Sequence, residues 1–544
     1  MINLEYIPLN KYDEVIEHFD GTVTIPRHNK KRYLFVSDVD NDKVFFLNNL
    51  TGCIYSYDLK SKELLQVNSR HTEIFKNNIG IAKYKNFLLT YNQQNKAFIF
   101  YNVYNQIVEQ QIYFDENINS FFIYDSYLWY FNRKDATLTK CLFSTNGINI
   151  LDKYFIKGIG ESSIFVANDG IYITDSEENL IRKYSFNGNL LFEAITPFID
   201  PIGQFIYNNE HYVLYGGLVN EVGYENRCWQ EQKPFFHKIK ISVVEDDIYT
   251  TTYTNSFEVE FFYEENIYEN VLNEILPATF YLSLPENTEH QKVISITPLG
   301  MNFQIEEINN KKYAKFVLNE YDCKIQQIGY KALLHLRSIK KIVKNKHTLK
   351  LSSNDLLSDV EKKELGIDEN FFKQFIINEP IDDVDKILRL RNEIFKRLTY
   401  KKNIYAKNFK EVLQDGYGTC GDYTSLMLIF FNLNNISCNS ASGYKIPRFY
   451  NATSGIISIY FNHSWVEVYD CQQNILPMES SSDDKDYNNR FSEGQFLGID
   501  WTHIKLYNSK ANPNLIKVVS NKEVHPFDIF KKASVFVIVK REIL

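Results

Sequence analysis

Between residues 30 and 240 one pattern returns at an interval of about 42 residues, inside the range of four-stranded propeller blades. An apolar-aromatic stretch, such as 33–36 or 170–174, precedes a stretch that alternates polar and apolar residues. The second stretch is Ile54-Tyr55-Ser56-Tyr57-Asp58-Leu59 in one copy and recurs at 98–103, 138–143 and 180–186. Polar turns such as Asn187-Gly188-Asn189 then lead to another short strand. A unit of this size cannot bury its apolar face alone, so successive copies must stack. Roughly 240 residues hold five or six such units. The fifth runs from 205 to 241 and carries an insertion around Cys228-Trp229. The pattern predicts an all-β propeller over residues 1–240, in preference to a sandwich of meanders, with the N-terminal segment supplying a closing strand.

From 241 to 340 the repeat is lost. Alternating stretches at 257–262, 279–284, 292–296, 313–318 and 331–336 are separated by turn clusters such as Asn309-Asn310, which predicts a middle β-sandwich. Residues 340–352 form a basic, polar connector, and helices begin beyond it. Asp382-Asp383 can cap a helix that places Val384, Ile387, Leu388, Arg391, Ile394, Phe395 and Leu398 on one side. The third region is therefore α+β and spans 341–544.

At 544 residues the chain exceeds a single ordinary core, in keeping with several domains. Hydrophobic content of 44% and charged content of 24% are those of a soluble globular protein, and 15% aromatics favour β-structure. The net charge of -8 and the lack of a basic patch interleaved with aromatics argue against nucleic-acid binding. The N-terminus has no charged segment followed by an apolar run, so no signal peptide is expected. The apolar runs 426–431 and 535–539 are far short of a membrane span, so no membrane association is expected. Seven scattered cysteines, odd in number, point to a reducing compartment and a cytoplasmic location. With no CxxC or HExxH spacing, neither a metal nor another cofactor is expected.

Gly416 and Gly418 break the chain before Cys420. Leu426, Met427, Phe430 and Leu433 then recur at helical spacing until Asn434-Asn435. Cys420 thus sits in the first turn of a helix, where unpaired backbone N–H groups and the positive end of the dipole favour a thiolate. Most free cysteines are small core residues, but the strands beyond this helix argue for more than a core role. Residues 436–444 and 456–469 are strands, and alternation in the latter puts His463, Trp465, Glu467 and Tyr469 on one face. A short strand, Ile475-Leu476-Pro477-Met478, ends in Glu479. Cysteine at a helix start, histidine on a strand and carboxylate on the next make a Cys-His-acid arrangement.

Gly418-Thr419-Cys420-Gly421-Asp422-Tyr423, Ser442-Gly443-Tyr444 and His463-Ser464-Trp465-Val466-Glu467-Val468 resemble the core of the transglutaminase-like superfamily over about residues 383–482. The resemblance implies a papain-like fold, Cys420 as nucleophile, His463 as its base and a carboxylate on the following strand. The family usually ends that strand in Asp, where this sequence has Pro477-Met478-Glu479; Asp483 and Asp484 in the next loop stay open as the acid. It also implies a helix packed beside the cysteine helix and a preceding β-sandwich. In the N-terminal region, residues 171–184 resemble a blade of the NHL type, and the whole resembles six-bladed propellers of that kind.

Asp470 lies seven residues beyond His463, about 23 Å along an extended strand at ~3.3 Å per residue and on the other face, so it is a poor partner. Glu467 and Trp465 read as structural, Cys438 and Cys471 as non-catalytic, and His335, His347, His503 and His525 as surface or core. The second oxyanion donor stays open between Tyr417 and a group near Asn408. The expected activity is acyl transfer from a peptide or carboxamide through a Cys420 thioester, resolved by water or by an amine. The substrate is a protein or peptide, recruited by the propeller. The alternative is a propeller-sandwich scaffold with a silent, peptide-binding C-terminal domain.

Overall fold

A computed structural model describes residues 2–3, 16–17, 23–24, 34–158, 160–216, 235–322, 324–325, 327–401, 408–446, 448, 456–459, 462–481, 491–510, 515–522, 526–531 and 533–543. They fall into two compact units, residues 1–243 with 485–494 and residues 244–484 with 495–544.

The first unit is built from four-stranded antiparallel sheets. One comprises Leu34–Asp40, Lys43–Asn48, Cys53–Asp58 and Leu64–Gln66. The next three begin at Asn78–Tyr84, Ser120–Tyr124 and Glu161–Ala167. The fifth comprises Pro201–Tyr207, Glu210–Tyr215 and Phe235–Ile239, and is completed by Ile2–Asn3, which pairs with Phe235 and Phe236. The first strands of successive sheets adjoin, and that of the fifth adjoins that of the first, so the ring closes. The propeller therefore has five blades among the described residues, within the five or six expected. The N-terminal strand closes the ring as expected, joining the two ends of the region in one sheet. The insertion around Cys228-Trp229 lies outside the described residues. Aromatic rings fill the seams between blades. Phe98 meets Phe121 with centroids 5.0 Å apart, Phe122 meets Phe165 at 5.1 Å, and Phe46 meets Phe236 at 5.4 Å. Large flat side chains give each blade enough apolar area to bury its neighbour.

The second unit centres on an eleven-stranded sheet. Its main path, in spatial order, is Ile456–Ile459, Ser534–Ile543, Tyr249–Asn266, Gln327–Val343, Gly498–Ile499, Ile475–Met478, Asn462–Tyr469, Cys438–Lys445 and His503–Ser509. A smaller sheet runs Gln304–Ile308, Lys311–Leu318, Ala278–Ser283, Ile516–Ser520. The Tyr330 hydroxyl donates to the Ser283 carbonyl at 2.7 Å and ties the two sheets.

The middle β-sandwich is thus present as two sheets, but it is not self-contained. Its longest strands continue the sheet that carries the C-terminal motifs. The boundary expected at 340/341 falls inside a strand, where Ile339 pairs with Ile499 and Lys340 with Gly498. Alternation reports which face of a strand is buried and not which strand lies alongside. The single strand expected over 456–469 is likewise two strands: Ile456–Ile459 pairs with Ser534–Ile543, and Asn462–Tyr469 with Cys438–Lys445. A fragment starting at residue 341 lacks the two longest strands of its sheet. It is expected to give no cooperative thermal transition by circular dichroism, whereas a fragment starting at 244 is expected to melt cooperatively.

One helix covers the motif strands and a second packs on it. Asp383–Arg397 lies beside Cys420–Leu433, as expected, with the Phe395 and Tyr423 rings 5.8 Å apart. In Cys420–Leu433, the side chains of Leu426, Met427, Leu428, Ile429, Phe430 and Phe431 are all buried. A helix apolar all round is a core helix, so its N-terminus is held rigidly against Asn462–Tyr469. No helix among the described residues is long and apolar enough to cross a membrane.

Candidate active site

Gly416 has φ +74° and caps the helix Phe409–Asp415. The chain reverses there, and Tyr417–Gly418 runs parallel to Thr399–Tyr400 before the next helix starts. Thr419 is its N-cap: the Asp422 N–H donates to the Thr419 hydroxyl, and the Asp422 carboxylate accepts from the Thr419 N–H at 2.8 Å. This capping box makes Cys420 the first helical residue, as the sequence predicts, and puts its sulfur at the positive end of the dipole.

The Cys420 thiol lies under the electrostatic influence of the His463 ring and the Ser464 backbone. His463 turns Nε2 to Glu479, 2.8 Å from Oε2 and 3.0 Å from Oε1. Burial pushes the thiol up, but the hydrogen bond and charge of His463 outweigh it and hold Cys420 below the ordinary cysteine value. His463 is opposed by burial too, yet the Glu479 charge and the Cys420 contact raise it to about 9. The two shifts have opposite signs and favour thiolate on Cys420 and imidazolium on His463.

Glu479 is fully buried, which alone would raise it. His463 and Lys445 outweigh burial and hold it well below the usual carboxylate range. Its acceptor capacity is filled. Oε1 takes the N–H groups of Ser480 and Ser481 at 3.1 and 3.2 Å, and Oε2 takes Lys445 Nζ at 3.2 Å and His503 Nε2 at 2.7 Å. A carboxylate with this many donors stays ionised. Ser480 also clamps three elements: its hydroxyl lies 2.7 Å from that of Thr424 on the cysteine helix and donates to the Ser464 carbonyl at 3.1 Å.

The strand Cys438–Lys445 holds both histidines. Gly443 pairs with His463, and Lys445 with His503. A Cβ on Gly443 would sit 1.8 Å from the Ile504 carbonyl oxygen, so only glycine lets the edge strand bearing His503 approach.

His503 is the residue that sequence reasoning dismissed. It is buried, donates Nε2–H to Glu479, and sets Nδ1 3.0 Å from Asp500 Oδ1. It is remote in sequence from the motif, and the only local sign was Asp500 three residues before it. A second group was also not foreseen. His463, Glu479 and His503 place ligating atoms within 4.8 Å of one another, the one such cluster among the described residues. These atoms already pair with each other, and the Lys445 ammonium sits on the same carboxylate oxygen, so a cation would meet a charge of its own sign.

The other candidates fall away from this centre. Asp470 accepts from the Tyr249 hydroxyl at 2.7 Å, and Glu467 pairs with Lys505 at 2.7 Å. Cys438 is buried, and burial raises its thiol; Cys471 is exposed and donates to the Leu351 carbonyl. His335 meets Glu258 and His347 meets Asp382. Asn408 uses its side chain to cap Phe409–Asp415, and the Tyr417 ring is half exposed under Lys401. Asp483, Asp484 and His525 lie outside the described residues.

Comparison with known proteins gives a family match and distant folds. A Cytophaga hutchinsonii protein described as a candidate cysteine protease is 11% identical with TM-score 0.34, over 54% of this chain and 94% of its own. The glutaminyl cyclase of Myxococcus xanthus is 10% identical with TM-score 0.30, over 39% and 92%. A streptogramin B lyase is 12% identical with TM-score 0.25, over 41% and 75%. No curated protein sequence matches the chain. Residues 372–480 match the family model of the transglutaminase-like superfamily. Cys420, His463 and Glu479 all lie inside that span, and this chain carries a transglutaminase-like domain there, behind a mostly β N-terminal region.

Proposed function

We propose that the protein is a cysteine-dependent acyl-transfer enzyme acting on a peptide or carboxamide bond. The single observation behind this reading is that His463 couples electrostatically to the Cys420 thiol and places Nε2 2.8 Å from Oε2 of the Glu479 carboxylate. In this reading the thiolate adds to the substrate carbonyl, and the Cys420 backbone N–H, at the helix terminus, is one donor to the oxyanion. His463, protonated in the resting pair, gives its proton to the leaving amine as the C–N bond breaks, leaving a thioester. Water or an amine then attacks the thioester, His463 takes its proton, and the thiolate leaves. Glu479 keeps the imidazole in one orientation and stabilises its charge. A protein or peptide substrate fits a family of this chemistry, with recruitment by the propeller.

Limited alkylation with iodoacetamide and peptide mapping tests the reading. Cys420 is expected to label first at neutral pH, ahead of exposed Cys471, because the His463 contact keeps more of it as thiolate, the form that reacts, even though it is less accessible. Labelling of Cys471 with Cys420 left unmodified would sink the nucleophile assignment. Activity on a substrate found by screening with acyl-amide libraries should disappear with Cys420 labelling and persist in EDTA.

A further inference from the structure

The sequence places Glu where proteins resembling this one usually carry Asp. A glutamate has one more rotatable bond, so a given orientation of its carboxylate loses more freedom and needs more anchors. The structure supplies an anchor that nothing in the motif contains. Glu479 Oε2 lies 2.7 Å from His503 Nε2, almost the same distance as from His463 Nε2 on the other side, 2.8 Å. The far nitrogen of His503 faces Asp500 Oδ1 at 3.0 Å. His503 thus bridges two acids, one at each ring nitrogen.

We propose that His503, braced by Asp500, is a positioning residue for the reaction: it fixes the Glu479 carboxylate so that Oε2 stays aimed at His463. This deepens the acyl-transfer reading and rests on it. Every part of the brace is itself held. Asp500 accepts from the Thr502 N–H at 3.0 Å and pairs with Arg448 at 3.4 Å. His290 Nε2 lies 3.3 Å from the His503 carbonyl, and Trp465 packs against both rings, 5.2 Å from His503 and 6.2 Å from His463 between centroids. The charged and titratable groups on this line are Cys420, His463, Glu479, Lys445, His503, His290, Asp500 and Arg448. The path Cys420–His463–Glu479–His503–Asp500 crosses the cysteine helix and three strands of the sheet, so side-chain position in one is passed to the next by hydrogen bonds in a dry interior.

The test reads Cys420 alkylation by iodoacetamide as a function of pH in the full-length protein, by peptide mapping, for wild type, His503→Leu, His503→Gln and Asp500→Asn. Without His503, Glu479 turns more freely, imidazolium at His463 is less stabilised, and thiolate forms at higher pH. The acid-side midpoint of the His503→Leu profile is expected to rise by about one pH unit, a loss of about tenfold in labelling rate below the midpoint. His503→Gln keeps an N–H toward Glu479 and is expected between Leu and wild type; Asp500→Asn is expected to shift in the same direction. A folded His503→Leu protein, by circular dichroism and melting, with an unshifted profile overturns the positioning role, because a merely structural histidine would alter melting alone. Should His503→Leu not fold, unshifted profiles for both His503→Gln and Asp500→Asn overturn it equally. A wild-type protein that does not label at Cys420 overturns the acyl-transfer reading and the positioning role with it. A reactive wild type with unshifted variants removes only the positioning role.

Discussion

Cys420→Ala is expected to lower the rate on an acyl-amide substrate by about 10⁶-fold, the size seen when one member of a nucleophile–base unit is removed. His463→Ala should cost about as much, and the double variant no more than either, since the two act as one device. Alanine is favourable at a first helical position, so Cys420→Ala should fold and melt close to wild type. The pH profile carries a second signature. His463 is raised to about 9 from an ordinary value of 6.5, and Cys420 is lowered. Activity is then expected to rise as the thiol ionises, hold through neutral pH, and fall as His463 loses its proton near pH 9. The same shift sets the pH dependence of stability: a raised histidine stabilises the fold fully below about pH 6.5, and that contribution is lost as pH rises through about 9. The two limbs belong to the pair and not to either residue. A monotonic profile with no alkaline fall, or a substantial rate left in Cys420→Ala, would remove the mechanism.

Glu479→Gln is expected to reduce activity by about 10⁴-fold, as loss of the orienting carboxylate does in comparable triads, and to destabilise the protein as well. From the strand pattern alone, such a variant would keep its shape and its melting temperature. The structure says otherwise. Glu479 is fully buried, carries the charge opposite His463 and Lys445, and is also the partner of His503 Nε2. An amide there leaves the buried His463 imidazolium without its counter-charge and turns an N–H group toward the histidines. Breaking a buried pair from one side costs about 3–5 kcal/mol, so thermal unfolding should fall by many degrees. Glu479→Asp keeps the charge but withdraws it by about 1.5 Å. It cannot hold both histidines at hydrogen-bond distance and should be intermediate in activity. Full activity in Glu479→Gln would move the acid role to Asp483 or Asp484.

The resemblance carried the catalytic reading as far as three residues, because each sits in a short local signal. The double glycine and capping Thr419 mark where the cysteine helix begins. Alternation puts His463 on one face, and Pro477-Met478-Glu479 ends the next strand. These signals reach only a few residues along the chain, and so did what could be read from them. His503 lies forty residues beyond His463, on a strand that meets the site only because the sheet orders it beside Cys438–Lys445.

The amino-acid sequence by itself determined the repeat that makes a propeller, the core helix headed by Cys420, and the strands bearing His463 and Glu479, all through periodicity and capping. Only the tertiary structure decided how many blades close the ring, because closure depends on Ile2–Asn3 pairing with a strand more than two hundred residues away. It alone joined the middle strands to the motif sheet, because a strand's burial pattern is the same whichever neighbour it has. And it alone set His503 and Asp500 behind Glu479, because a hydrogen bond between buried side chains is fixed by sheet order and register, which no local pattern encodes.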